Sequence, residues 1–151
     1  MLKLPKKIVF AVEAVLDIAY HAGSGVVQST DITRRQNIPR RYLEQALQAL
    51  VRDGILIGIR GPRGGYRLAR ERGRISIGDI VRAVSGLEDT KALNGADPGS
   101  DLGRRVLRPL WDDLQRDTMS RLDAVSIDDL CGRADAEGLT CQGRGTLDVP
   151  I

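Results

Sequence analysis

Aromatic residues, histidine and cysteine are scarce in this chain. Of its 151 residues, 3% are aromatic, one is a histidine and two are cysteines. An interior with so few rings must be built from aliphatic side chains, and the length suffices for one such core or for one and a half domains. Two cysteines are too few for a disulfide framework.

Motifs of the common enzyme classes are also missing. The sequence has no Gly-x-Ser-x-Gly, no His-Glu-x-x-His and no glycine–lysine pair of a phosphate-binding loop. We therefore predict that the protein is not an enzyme.

No stretch of the sequence predicts a membrane span. The apolar segment 8–20 is interrupted by Glu13 and Asp17, and about 20 apolar residues are needed to cross a bilayer. No signal peptide is recognisable at the N-terminus. We expect a cytoplasmic protein with no membrane partner.

Charge is divided unequally along the chain. Residues 1–86 carry a net charge of +8 and residues 87–151 a net charge of −5, within a total of +3. A basic half joined to an acidic half indicates that the first half meets a polyanion such as nucleic acid. The plainer interpretation is two ordinary solvated surfaces.

Residues 39–53 predict an amphipathic helix. Pro39 suits a first helical turn, and Gly54 suits a left-handed C-terminal cap. Apolar residues recur at three- and four-residue spacing, namely Leu43, Ala46, Leu47, Leu50 and Val51. The opposite face is polar and basic, as a helix that reads DNA requires.

Residues 54–70 change to the alternation of a strand. Ile55, Ile57 and Ile59 are followed by a turn that contains Gly61, Pro62, Gly64 and Gly65, and the alternation resumes at Tyr66 and Leu68. Arg60 and Arg63 lie in or beside the turn. The pattern predicts a β-hairpin wing with a positive tip directly after the helix.

Helices on both sides complete the predicted organisation. An apolar helix at 6–22 is expected to be central. A short helix, capped by Ser29 or Thr30 and ending at about Gln36, would form a helix-turn-helix with the helix at 39–53, which is then the recognition helix. Ser76–Asp79 and Ser126–Asp129 resemble capping boxes that open helices to Val84 and to about Ala136. The fold class is thus mainly α with a small β-hairpin.

We divide the chain into four parts. Residues 1–86 form the winged helix-turn-helix domain, 87–101 a polar loop, 102–137 a long helix with a short following helix, and 138–151 a flexible tail. The long helix, predicted over 107–125 with Pro109 in its first turn or at a kink, is remote from the basic half. We expect it to form a homodimer interface, although it could pack on its own domain, and the expected interface residues are Leu107, Leu110, Trp111, Leu114, Thr118 and Leu122.

Two segments of the chain resemble those of a known family. Pro39–Gln45, which reads PRRYLEQ, and Ile59–Tyr66, which reads IRGPRGGY, are similar to the bacterial winged-helix transcriptional regulators that include IscR, NsrR, RirA and CymR. The resemblance extends over roughly residues 1–125. It implies a homodimeric regulator in the bacterial cytoplasm that binds a pseudo-palindromic operator in double-stranded DNA. A repressor is expected, because a dimer on a promoter blocks polymerase.

The resemblance also implies which residues touch DNA. Arg41, Tyr42, Glu44 and Gln45 would read the major groove, and Arg60 would enter the minor groove. The chemistry agrees, because arginine reads guanine, glutamine reads adenine and glutamate accepts from cytosine, while a wing arginine suits a narrow minor groove. Phosphate contacts are expected from the remaining candidates, which are Ser29, Thr30, Arg34, Arg35, Arg40 and, at the wing, Arg63.

One departure from the family is large. Many relatives bind an iron–sulfur cluster through three cysteines, and an ungapped alignment puts those positions at Leu93, Gly99 and Arg105. None of these side chains ligates iron. Further ligand positions in two branches fall on Arg108 and Val9. We therefore expect no cofactor and no metal.

Two alternatives remain open at this stage. Cys131 and Cys141 are candidate redox thiols, although the favoured interpretation of Cys131 is a buried structural cysteine. The second alternative is that the whole module docks a protein partner or co-regulator without reading DNA, in which case a basic wing tip would not be needed.

Overall fold

The computed structural model describes residues 4–23, 25–85 and 100–139. Within them lie six α-helices, two strands, one 3₁₀ turn (Arg72–Arg74) and one π-helical turn (Gly103–Leu107). The helices are α1 (Lys6–His21), α2 (Ser29–Gln36), α3 (Arg40–Arg52), α4 (Ile77–Ser85), α5 (Arg108–Asp123) and α6 (Ile127–Ala136). The strands are β1 (Leu56–Ile59) and β2 (Gly65–Leu68), so the predicted fold class, helical with one hairpin, is confirmed.

Helix α1 is the centre of the core. It contacts α2, α3, α4, α6 and β2, and Ala11, Ala14, Val15 and Ile18 on it are fully buried. Small alanines let the surrounding helices approach closely, and aliphatic residues from every neighbour fill the remaining space. Each large aliphatic side chain buried in this way contributes about 1.5–3 kcal/mol. The rest of the fold is arranged around this one helix.

A buried carboxylate ties α2 to α1. Asp17 is 2% exposed and accepts hydrogen bonds from Arg35 Nε at 2.9 Å and Arg35 Nη2 at 2.7 Å. Gln36 Nε2 donates a third bond at 2.8 Å. Because every oxygen of the carboxylate has a donor, the charge is tolerated inside the core. The first helix of the helix-turn-helix is thereby fixed on the central helix.

The helix boundaries follow local chemistry, with two corrections. Helix α2 is preceded by Gln28 as its N-cap, so neither Ser29 nor Thr30 is the cap. Pro39 precedes α3 as its N-cap and is not in its first turn, because its extended ψ of 131° leads the chain into the helix. Gly54 closes α3 with a φ of +76°, as predicted.

Both predicted capping boxes are present. Asp79 N donates to Ser76 Oγ at 3.0 Å and Ser76 N donates to Asp79 Oδ2 at 3.0 Å. The same exchange joins Ser126 and Asp129. These bonds satisfy amide groups that the first turn of a helix leaves unpaired.

The hairpin register directs alternate side chains to the core. Leu56 faces Leu68 and Gly58 faces Tyr66 across the antiparallel pair, and the side chains of Tyr66 and Leu68 pack against the core. Val27 adds a bridge that the sequence did not predict, with its N–H and carbonyl bonded to Tyr66 at 2.9 and 2.8 Å. The wing is therefore anchored to the segment that leads into α2.

The π-helical turn runs directly into α5, so the two form one continuous helical segment from Gly103 to Asp123. Arg108 N donates to Gly103 O, five residues back, and Pro109 lies in the first turn of α5, as predicted. The missing N–H of Pro109 is harmless at that position. At the other end, α6 packs against α1 and adds Ile127 and Cys131 to the common core, although the pattern had grouped α6 with the dimerisation helix.

Some predictions fall outside the described residues. They concern the loop over 87–99, with Leu93 and Gly99, and the tail from 140 onward, with Cys141. Within the described residues, the structure contains no helix with the length and hydropathy to cross a membrane.

Candidate nucleic-acid interface

The recognition helix presents one polar face to solvent. Leu43, Ala46, Leu47 and Leu50 are buried against the core, which leaves the opposite face exposed along the whole of α3. That face carries Arg41, Glu44, Gln45, Gln48 and Arg52. The side chains can offer both donors and acceptors to the edges of bases.

An ion pair within this face orients its only carboxylate. Arg40 Nε donates to Glu44 Oε1 at 3.0 Å, and both side chains are more than half exposed. Exposed pairs of this kind are weak. The pair therefore leaves Arg40 and Glu44 able to exchange each other for other partners.

Tyr42 is held by its ring. It stacks on Phe10 of α1 with ring centroids 6.2 Å apart, and 42% of the residue remains exposed. The packing leaves its hydroxyl as the group available to a ligand at the start of α3.

Glycine geometry shapes the tip of the wing. Gly61 has a φ of +108°, and a Cβ at Gly64 would lie 2.0 Å from the carbonyl oxygen of Ile59. The turn closes with Gly64 N donating to Gly61 O at 2.9 Å. A side chain at Gly64 is thus excluded sterically, and the tight turn leaves Arg60 and Arg63 exposed at the tip.

An open groove of about 710 Å³ separates α3 from the wing. Gln48 and Arg52 line it on the helix side, Arg60 on the wing side, and Ser29 and Thr30 from the first turn of α2. Gln48 and Arg52 were absent from the predicted contacts. Their signal was the continued spacing of the polar face after Glu44 and Gln45.

The two arginines of α2 differ in their surroundings. Arg34 is exposed and pairs with Asp31 of its own helix at 3.2 Å. Arg35, expected at a phosphate, has a side chain only 13% exposed and is committed to Asp17. Its guanidinium is used inside the fold, so we remove Arg35 from the interface.

The candidate dimer face is mostly exposed. Leu107, Leu110, Trp111 and Leu114 are all 45% or more exposed, and Thr118 is exposed with its hydroxyl bonded to Leu114 O at 2.9 Å. Leu122 departs from the expectation, because it packs against the core of its own chain.

The described residues include one cysteine and no cluster of three or more histidine, cysteine or acidic side chains that could hold a metal ion. Cys131 is buried in the core, and burial raises the pKa of its thiol although the nearby Arg72 opposes the shift. Since the thiolate is the reactive form, burial and the raised pKa lower the reactivity of the Cys131 thiol in the folded protein.

The helix-turn-helix, the adjoining hairpin and the basic groove between them define a winged helix-turn-helix of the DNA-binding class. The comparisons with known proteins agree. The chain belongs to the Rrf2 family, described as iron-dependent transcriptional regulators, whose model matches residues 4–133. It is therefore a DNA-binding transcriptional regulator and not an enzyme.

Individual relatives match over most of their length. The regulator IscR of Aliivibrio salmonicida is 39% identical over 151 residues, which covers 99% of this chain and 88% of that protein. The structure of T. potens IscR is similar with a TM-score of 0.73 and 29% identity, over 92% of this chain and 93% of that one. CymR, described as the global cysteine regulator of B. subtilis, has a TM-score of 0.67 and 27% identity, over 88% and 98%.

Proposed function

We propose that the protein is a homodimeric repressor of the bacterial cytoplasm that reads a pseudo-palindromic operator, with α3 in the major groove and the wing in the minor groove. The observation that carries the proposal is the open groove between the polar face of α3 and Arg60. Ser29, Thr30, Gln48 and Arg52 face Arg60 across it. Arg41, Glu44 and Gln45 continue the same exposed face of α3 toward its N-terminal end.

Base reading is assigned to the first two turns of α3. Arg41 is suited to guanine O6 and N7, Gln45 to adenine, and Glu44 to the amino group of cytosine. All three are exposed on one face. Release of Glu44 from Arg40 would couple a phosphate contact to base recognition.

The minor groove is assigned to Arg60. It stands at the exposed tip of the wing, where a guanidinium is attracted by the negative potential of a narrow groove. Arg63, in the same turn, is suited to the flanking phosphates.

Phosphate contacts are assigned to solvent-accessible groups of α2 and of the start of α3. Ser29 and Thr30 offer hydroxyl groups and first-turn amides beside the groove, and Arg34 and Arg40 have exposed guanidinium groups. These contacts would position the protein on the duplex without specifying sequence.

Dimerisation is assigned to α5 and to the π-helical turn before it. Leu102 and Val106 extend the exposed apolar residues toward the N-terminal end, where they are 68% and 57% exposed. A contiguous apolar surface of this kind is unusual on a monomer. Pairing two copies of this surface would cover it. The dimer would then place two reading heads, each made of α3 and the wing, on one operator.

Control by an iron–sulfur cluster does not fit this chain, although the family is described as iron-dependent. The position that aligns with a third cysteine is Arg105, an exposed arginine in the π-helical turn. A guanidinium is always charged and repels a metal cation. We propose a regulator without a cofactor.

The test is a selection of sequences from random duplex DNA by the purified protein. We expect an enriched consensus made of two related, inverted half-sites, and a dimer in sedimentation analysis. Transcription from a promoter that contains the selected site should fall when protein is added. Recovery of no consensus would refute the DNA-reading proposal and favour a module that docks a protein partner; rising transcription would refute repression alone.

A further inference from the structure

The junction between the DNA-binding half and α5 is held by a pivot made of main-chain bonds. Ser76 and Ser126, the caps of α4 and α6, form an antiparallel bridge. Ile77 N donates to Val125 O at 2.9 Å, and Ile127 N donates to Ile75 O at 2.8 Å. These bonds attach the C-terminal end of α5 to the start of α4, where Leu122 and Val125 also pack against the core.

A second contact lies farther along α4. Arg82 Nη1 and Nη2 donate to the two carboxylate oxygens of Asp123 at 2.8 and 2.6 Å. Arg82 follows the bridge by six residues, or about 9 Å of helix, and its side chain reaches back to the carboxylate, which lies against Gly78 near the bridge. The pair thus joins the C-terminal end of α5 to a later turn of α4 and resists rotation about the bridge.

The carboxylate itself is confined. A Cβ placed on Gly78 would lie 1.8 Å from Asp123 Oδ1, so only glycine at that position leaves room for it. The hydrogen bonds from Arg82 lower the pKa of Asp123 below its usual range, as expected for a carboxylate paired with a guanidinium. Asp79 at 3.8 Å further holds the Arg82 guanidinium on this side of α4.

We propose that Arg82 and Asp123 are positioning residues that fix the angle between the reading head and α5, and thereby the spacing of half-sites that the dimer accepts. The inference rests on the proposed dimeric, DNA-reading function. In a dimer joined by α5, α3 lies far from the two-fold axis. A small change in this angle therefore produces a large displacement of α3. Neither residue lies near the groove that would receive the duplex.

The experiment compares spacing preference in variants that break the pair from three sides. Arg82→Ala removes the donors, Asp123→Asn weakens the acceptor with little change in shape, and Gly78→Ala displaces the carboxylate. Arg133→Ala is the matched control, since it removes the same charge from the exposed surface of α6 and Arg133 does not line the cavity that Arg82 and Asp123 share. The probes are a series of duplexes that carry the two half-sites selected by the wild type. The spacing between the half-sites increases by one base pair from one probe to the next, from below to above the selected spacing.

We expect each junction variant to remain a dimer and to bind a single half-site as the wild type does. Its preference for the best spacing over a spacing two base pairs longer should fall by about threefold to fivefold, the range that a well-formed surface ion pair supplies. The control should keep the wild-type preference.

Three results would overturn the inference. Unchanged spacing preference in folded Asp123→Asn and Arg82→Ala dimers would leave DNA reading intact and refute the positioning role. Loss of single half-site binding would show that the pair acts on the reading head itself. Failure of the wild type to select any consensus would refute the proposed function, and it would be recognised before any variant is made. Circular dichroism identifies a variant that fails to fold, in which case Gly78→Ala and Asp123→Asn carry the test.

Discussion

Arg35 offers the sharpest test of the fold, because its partner is a carboxylate inside the core. The Asp17 side chain is 0% exposed, and substitution of Arg35 by methionine would leave it only the Gln36 amide at 2.8 Å and His21 at 4.0 Å. Removal of one partner of a buried ion pair costs about 3–5 kcal/mol. We expect the loss of stability in Arg35→Met to lie near the lower end of this range, since protonation of His21 can partly compensate for the lost positive charge.

Arg34→Met is the matched control on the same helix. Its guanidinium is 69% exposed and pairs with Asp31 of its own helix, so its loss should change the free energy of unfolding by about 1 kcal/mol or less. The double variant Asp17→Asn with Arg35→Met should be more stable than Arg35→Met alone, because it leaves no uncompensated charge in the core.

Urea unfolding followed by circular dichroism measures these differences, with the slope of the transition as the check on compactness. The salt dependence of DNA affinity then separates support of the fold from phosphate contact. Loss of one phosphate contact lowers the slope by about 1, which we expect for Arg34→Met and not for Arg35→Met. A stable Arg35→Met protein with a reduced slope would refute the buried-pair account.

Three further perturbations test other parts of the molecule. Glu44→Ala should relax base preference at one position of the selected site more than it lowers overall affinity; an identical consensus for both proteins would contradict this. Trp111→Asp should convert the dimer to a folded monomer in sedimentation analysis, and a persisting dimer would place the interface elsewhere. Burial lowers the pKa of His21, against an opposing effect of Asp17, so the unfolded chain binds more protons and stability should fall as pH drops below about 6.5. His21→Asn should show a shallower fall in melting temperature over that range, and an equally steep fall would assign the effect to other groups.

Much of the fold could be predicted because its determinants are local. The spacing of Leu43, Ala46, Leu47 and Leu50 predicts the buried face of α3, and a glycine at position 54 predicts its end. The two Ser-x-x-Asp boxes open helices where expected. Each of these signals acts within about four residues, which is the range over which helix periodicity and capping operate.

What the pattern did not predict depends on distant contacts. Asp17 and Arg35 are 18 residues apart, and each resembles an ordinary surface charge on an amphipathic helix. The bridge from Val27 to Tyr66 joins a single residue to the wing and has no alternation to reveal it. Leu122 fits the apolar spacing of α5 but faces its own core, because the helix changes from an unpartnered to a packed environment along its length.

The candidate site divides in the same way. Arg41, Glu44 and Gln45 could be selected from helix spacing together with the family resemblance, and all three are exposed on one face. The spacing of the polar face includes Gln48 and Arg52, but only the tertiary structure puts the wing opposite them across a groove. A groove between two elements is a property of tertiary structure.

The central claim is that α3 and the wing hold DNA together, and the salt-dependent affinity of Arg60→Ala tests it most directly. The control is Arg133→Ala, which removes the same charge from the exposed surface of α6. Measured by fluorescence anisotropy on the selected duplex, Arg60→Ala should lose about tenfold or more in affinity and about 1 in salt slope, with the dimer intact and the control unchanged. Wild-type affinity and slope in Arg60→Ala would contradict the account.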